Sequence, residues 1–147
     1  MNKKRLSACE RMGGVIKDGV CMIDGFPTHT KYSEWWGETI IPEALKYGKA
    51  TVIHASPTDA ASLFPPTTFY EETIEELRKR IREKIPINPP WLEVCLNIRD
   101  EDGWHHTWVV GHEGRHRIEA ARREGLKKVP IIIRHKPEEY CKIEGVE

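Results

Sequence analysis

The sequence predicts an α+β fold: a small mixed sheet with helices packed on it, plus an N-terminal hairpin extension. Three observations predict it. Short apolar, strand-like runs recur at residues 50–54, 91–98, 104–110 and 129–133. Helix-like stretches with a one-sided apolar stripe separate them. Near the N-terminus, glycines punctuate the chain between Cys9 and Cys21. At 147 residues the chain makes one globular unit, long enough for a real core. Residues 1–49 read as the extension and 50–147 as the main domain.

Cys9 and Cys21 flank Gly13-Gly14 and Lys17-Asp18-Gly19, a hairpin pattern that brings the two cysteines near each other. A disulfide or half a zinc site could form there, although the spacing is far from the usual zinc spacing. Residues 26–49 read as irregular, with a short helix near 42–47 ended by Gly48. Trp35-Trp36 either fills the core or stacks bases. The strand Ala50–His54 follows. Ser56-Pro57-Thr58-Asp59 is a helix start, with Ser as cap and Pro in the first turn. Thr68 opens the next helix, with Glu71 three residues on as a capping box. Ile74, Leu77, Ile81 and Ile85 make its apolar stripe, and Pro86 ends it. In the next strand Leu92, Val94, Leu96 and Ile98 alternate with Trp91, Glu93, Cys95 and Asn97. Cys95 reads as a small buried or half-buried residue. Glu93 faces solvent or a pocket. His105 and His106 are adjacent on the following strand, so they point to opposite faces and share no metal.

The chemistry concentrates in Gly111-His112-Glu113-Gly114-Arg115-His116-Arg117. An apolar run precedes this stretch and a helix-like segment follows it. Glycines let backbone approach a ligand closely, and a helix start adds unpaired N–H groups. With two arginines and two histidines alongside, the pattern describes a phosphate or other anion site. The alternative is a basic, solvated helix start. So many cations in one place favour an anion that relieves their repulsion. Residues 112–116 also match H-E-x-x-H, but the zinc pattern needs both histidines on one regular helix, and Gly114 argues against that.

The order of these elements, with Gly114-Arg115-His116-Arg117, Ala120-Ala121, Gly125-Leu126 and Val129-Pro130, resembles the ParB/sulfiredoxin superfamily over about residues 50–136. The resemblance implies a ParB/sulfiredoxin-like sheet. It implies a pocket that holds nucleotide phosphates, ATP or CTP, at Gly114, His116 and Arg117, to which the anion-site pattern adds Gly111, His112 and Arg115. It places Glu113 at the acidic position, with Mg²⁺, and gives Glu113 and His116 catalytic roles. Mg-dependent nucleotide hydrolysis or DNA cleavage is the implied reaction. A non-catalytic DNA- or nucleotide-binding adaptor is the alternative. His54 would be a pocket residue or a core histidine. Sulfiredoxins carry their catalytic Cys where Arg115 stands, and a guanidinium cannot attack there, so sulfinic acid reduction is excluded. Residues 137–147 are too few for a helix-turn-helix domain.

Charge is balanced, 23 cations against 23 anions, which argues against nucleic-acid binding by bulk charge alone. From Gly111 to Lys136, however, eight Lys/Arg stand against three Glu. There Arg122, Arg123, Lys127 and Lys128 read either as a wet helix end or as a nucleic-acid face. The basic start lacks the apolar run of a signal peptide, and no segment reaches transmembrane length, so a cytoplasmic protein without a membrane partner is expected.

Overall fold

The computed structural model describes residues 8–30 and 50–142. The expected features at Trp35, Trp36 and 42–47 lie outside them. Helix α1 (Ala8–Arg11) leads into strands β1 (Val15–Lys17), β2 (Val20–Ile23) and β3 (Phe26–Thr28). The expected hairpin is thus the first half of a three-stranded antiparallel meander. Cys9 on α1 and Cys21 on β2 form a disulfide. Gly14 leaves the room for it: a Cβ there would lie 2.7 Å from one sulfur and 2.9 Å from the other.

The main sheet has the order β4-β7-β5-β6, with β4 (Ala50–Ala55), β5 (Trp91–Arg99), β6 (His105–Glu113) and β7 (Val129–His135). β5 and β7 run parallel and the other pairs are antiparallel, so the sheet is mixed. β7 is central and is buried on both faces. Val129 and Ile131 join the helix-side core, while Ile132, one step out of phase, packs with Cys9, Met12, Cys21 and Ile23. The meander and the helices therefore cover opposite faces of β7. Further ties hold the extension to the main sheet. Phe26 lies in the helix-side core, the Ile87 N–H donates to the Pro27 carbonyl, and His54 pairs with Asp24 at 2.8 Å.

Three helices cover the helix-side face: α2 (Pro57–Ser62), α3 (Glu71–Glu83) and α4 (Arg115–Arg123). Ser56 caps α2, its Oγ accepting the Asp59 N–H at 3.1 Å, with Pro57 in the first turn as expected. Ile74, Ile81, Ile118, Ala120 and Ala121 are buried together, each large side chain contributing about 1.5–3 kcal/mol.

Three expectations need correction. The capping box at Thr68 does not form: α3 starts at Glu71 after Tyr70, with no side-chain cap. Ile85 lies past the left-handed Lys84 that closes α3 and is exposed. Leu96 is exposed while Cys95 is buried, because register shifts between β5 and β6 and a left-handed Asn97 break the alternation. Cys95 is buried as expected and is bonded to Cys141, just after a 3₁₀ turn at Glu138–Tyr140.

Candidate functional site

The site stands where β6 meets α4. β6 runs to Glu113, so Gly111 is not in the turn but within the strand. A Cβ on Gly111 would touch the Trp91 ring at 3.4 Å; this glycine makes room for packing. Gly114 alone makes the turn. Its φ of +115° is glycine territory, and a Cβ would lie 2.7 Å from Pro90 Cα and Cβ. The first intrahelical bond runs from the Ile118 N–H to the Gly114 carbonyl. The N–H groups of Arg115, His116 and Arg117 precede it and have no side-chain cap. They give the helix start its partial positive charge.

Each side chain of the motif now has a place. Arg117 is mostly buried; it donates to the Pro89 carbonyl at 3.4 Å and to Glu113 Oε1 at 3.3 Å. Burial pulls its pKa down, and the Glu113 carboxylate pushes it back up. His116 Nε2 accepts the Tyr70 N–H at 3.0 Å, and its ring stacks on Tyr70 and meets Phe69 edge-on. His112 is exposed on β6, with its ring edge-on to Phe64. The Arg115 guanidinium lies over Phe69, 5.3 Å from the ring centre. Its Nε is shielded from water and has no acceptor. Phe64, Phe69, Tyr70, Pro89 and Pro90 thus frame the motif, and sequence reading had not assigned them to it. The Pro-rich run before β5, and the aromatic pair at the start of α3, were the available signals.

Farther along α4 the cations are committed. Arg122 grips Glu119 with two bonds of 2.7 Å. Arg123 bridges Glu119 at 3.0 Å and Glu71 at 2.6 Å, and Arg78 of α3 holds Glu124 at 2.8 Å. The buried Glu119 carboxyl is held down to about 2, first by the Arg122 hydrogen bond and then by Arg123. The Arg123 pKa is pushed up, first by its hydrogen bond to Glu71 and then by the one to Glu119. These residues fasten α4 to α3. Lys127 and Lys128 remain exposed beyond the helix.

Other candidates lie apart from the motif. His54 is tied to Asp24, and Glu93 faces Arg134 at 3.4 Å. His106 binds Asp100 at 2.7 Å and His105 contacts the Asn97 carbonyl, both near the β5–β6 turn. The H-E-x-x-H reading fails on geometry, since His112 is on a strand and His116 on a helix, with His116 Nε2 already engaged. Magnesium, implied at Glu113 by the sequence resemblance, does not fit the donors either. Glu113 lies against Arg117, so a divalent cation there would meet a guanidinium group. Among the described residues, no group of three or more His, Cys, Asp or Glu could hold a metal ion.

The fold and site define an α+β domain with a cation-rich helix start beneath a glycine turn. No protein-family model matches the chain, and no curated protein matches it. Among solved structures it is similar to the C-terminally truncated chromosome-partitioning protein ParB from Caulobacter crescentus complexed with CTP-gamma-S. Identity is 28% and the TM-score 0.35, over 60% of this chain and 47% of that one. The chain spans about half the length of that structure. Among the described residues, no helix is long and apolar enough to cross a membrane.

Proposed function

We propose that this chain is a phosphate-gripping, nucleotide-binding domain, with CTP or ATP as ligand, and that it works by binding rather than by turnover. The observation that carries this is Arg115. Its guanidinium lies over Phe69, its Nε has no acceptor, and the residue opens α4, whose first three N–H groups are uncapped at a turn whose glycine leaves no Cβ in the way. The resemblance of residues 113–117 to the nucleotide-binding signature of the ParB/sulfiredoxin superfamily supports the choice of a nucleotide. The commitments of Glu113 to Arg117 and of His116 to Tyr70 favour binding over hydrolysis, because both candidate catalytic groups already have partners. Arg122 and Arg123 are likewise paired, which disfavours that end of α4 as a DNA face.

A thermal-shift panel of ATP, CTP, inorganic tripolyphosphate and DNA tests the reading. A ligand at a hundred times its Kd contributes about 2.7 kcal/mol, enough to raise the midpoint by several degrees. No shift with any of them would end the phosphate reading. A shift with DNA alone would make the ligand a nucleic-acid backbone. Nucleotide turnover by purified protein, lost in Glu113→Gln, would restore the enzyme reading.

A further inference from the structure

We propose that the Cys95–Cys141 disulfide is a redox latch, which pins residues 137–142 over an apolar patch of the β5–β6 pair and lets them lift when a dithiol opens the bond. This goes beyond the nucleotide reading and does not depend on it. The two disulfides are unequal in what surrounds them. Cys9 and Cys21 are 1% and 0% exposed, and they share a cluster with Met12, Ile23 and Ile132 between the meander and β7. Cys95 is 1% exposed, but Cys141 stands nearer the solvent boundary, at 9%. Their cluster is small: Cys95, Ile98 and Cys141, with Trp108 half-buried against them.

Little besides the bond holds the segment down. Its last backbone tie to β5 is at Lys136, whose N–H donates to the Val94 carbonyl at 2.8 Å. Beyond that, among the described residues, the backbone hydrogen bonds stay inside the 3₁₀ turn. The Tyr140 N–H donates to the Pro137 carbonyl and the Cys141 N–H to the Glu138 carbonyl, both at 2.9 Å. Pro137, Glu138, Glu139, Tyr140 and Lys142 are exposed, so Cys141 is the side chain of 137–142 that the fold buries. A segment with so few buried contacts opens locally at far lower cost than the whole domain. Thiol exchange then follows. A thiolate of the dithiol attacks the Cys141 sulfur, the S–S bond breaks, and Cys95 leaves as a thiolate that takes up a proton. The second thiol of the dithiol displaces Cys141 from the mixed disulfide, again as a thiol. The dithiol gives up two electrons and two protons and becomes a disulfide, and the latch becomes two thiols. The lifted segment uncovers Cys95, Ile98 and Trp108, apolar surface that only the reduced protein presents.

Native-state reduction with dithiothreitol, followed by timed iodoacetamide labelling and peptide mass mapping, tests this on the full chain. Cys95 and Cys141 should be labelled faster than Cys9 and Cys21, by about tenfold or more. An apolar-surface dye should bind as they open, with the far-ultraviolet circular dichroism unchanged, and reoxidation should release it. Cys141→Ser should bind the dye without reductant; labelling of the wild-type protein keeps the test decisive if that variant does not fold. Labelling of all four cysteines at one rate, or dichroism lost along with the bond, would mean that only global unfolding exposes them and would overturn the latch. So would opening of Cys9–Cys21 first. So would free thiols at Cys95 and Cys141 with no dye bound, since the segment would then stay down without its bond.

Discussion

His116 Nε2 accepts the backbone N–H of Tyr70 at 3.0 Å, and the two rings stack with their centres 5.7 Å apart. One side chain on the first turn of α4 thereby ties down Tyr70, the residue before α3, 46 residues away in sequence. An accepting Nε2 leaves the ring proton on Nδ1. The histidine expected to hold phosphate braces two helix starts. His116→Ala should lower stability by about 1–3 kcal/mol, read by urea unfolding. It should weaken ligand binding far less than a change at Arg115. Lost binding with unchanged stability would make the ring a ligand after all.

Gly114→Ala tests the turn. The added methyl must sit at a left-handed φ and 2.7 Å from Pro90. We expect a loss of more than about 2 kcal/mol and no remaining nucleotide-induced thermal shift. A variant as stable as wild type would mean that the β6–α4 turn can take another shape.

Arg117 and Arg122 should differ sharply. Arg117 is wedged between the Pro89 carbonyl and Glu113, whereas the Arg122 side chain is 55% exposed. Arg117→Ala leaves Glu113 uncompensated beside the phosphates and should weaken binding by about 1.5–3 kcal/mol. Arg122→Ala should leave binding intact and lower stability by about 1–3 kcal/mol, because the buried Glu119 then keeps only Arg123. Equal effects in calorimetry would mean that only diffuse charge matters.

Acid should loosen α4 from α3. In an unfolded chain Glu119 takes up a proton near 4.5, but in the fold it stays charged down to about 2. Its contribution is complete above about pH 4.5 and is lost as the pH falls toward 2. Glu71, lowered first by its Arg123 hydrogen bond, acts in the same sense. Glu119→Gln should therefore flatten the decline in unfolding midpoint across that window while lowering stability at neutral pH. An unchanged acid profile would place the acid sensitivity elsewhere.

Much of the architecture was legible because it follows local rules. The α3 stripe at Ile74 and Ile81, the Ser56 cap and the strand positions follow from periodicity and cap chemistry. Leu96 was misjudged because a bulge is set by pairing between strands, which one strand's alternation does not contain. The Thr68 capping box lost to a tertiary partner, His116. Arg122 and Arg123 read as a wet helix end or a nucleic-acid face, yet Glu119 stands one turn before both on the same helix; only the second partner of Arg123, Glu71, is brought to it by packing α4 on α3. Gly111 illustrates the same point: its neighbour in space is Trp91, twenty positions earlier in the chain. The second disulfide was invisible for that reason too. Two disulfides also sit uneasily with the expected cytoplasmic setting. Such bonds persist in oxidising compartments or in hyperthermophile cells.

The Cys95–Cys141 bond closes a covalent ring that starts in β5 and returns after β7, enclosing β6, the Gly114 turn and all of α4. Every backbone piece that shapes the Gly114 turn, apart from its prolines and aromatics, is inside that ring. A protease that nicks the exposed loop at Glu101-Asp102 would cut the chain without releasing a fragment. The two halves would separate on a gel only after reduction. The candidate site is in this sense a stapled cassette, able to survive a break in its own polypeptide.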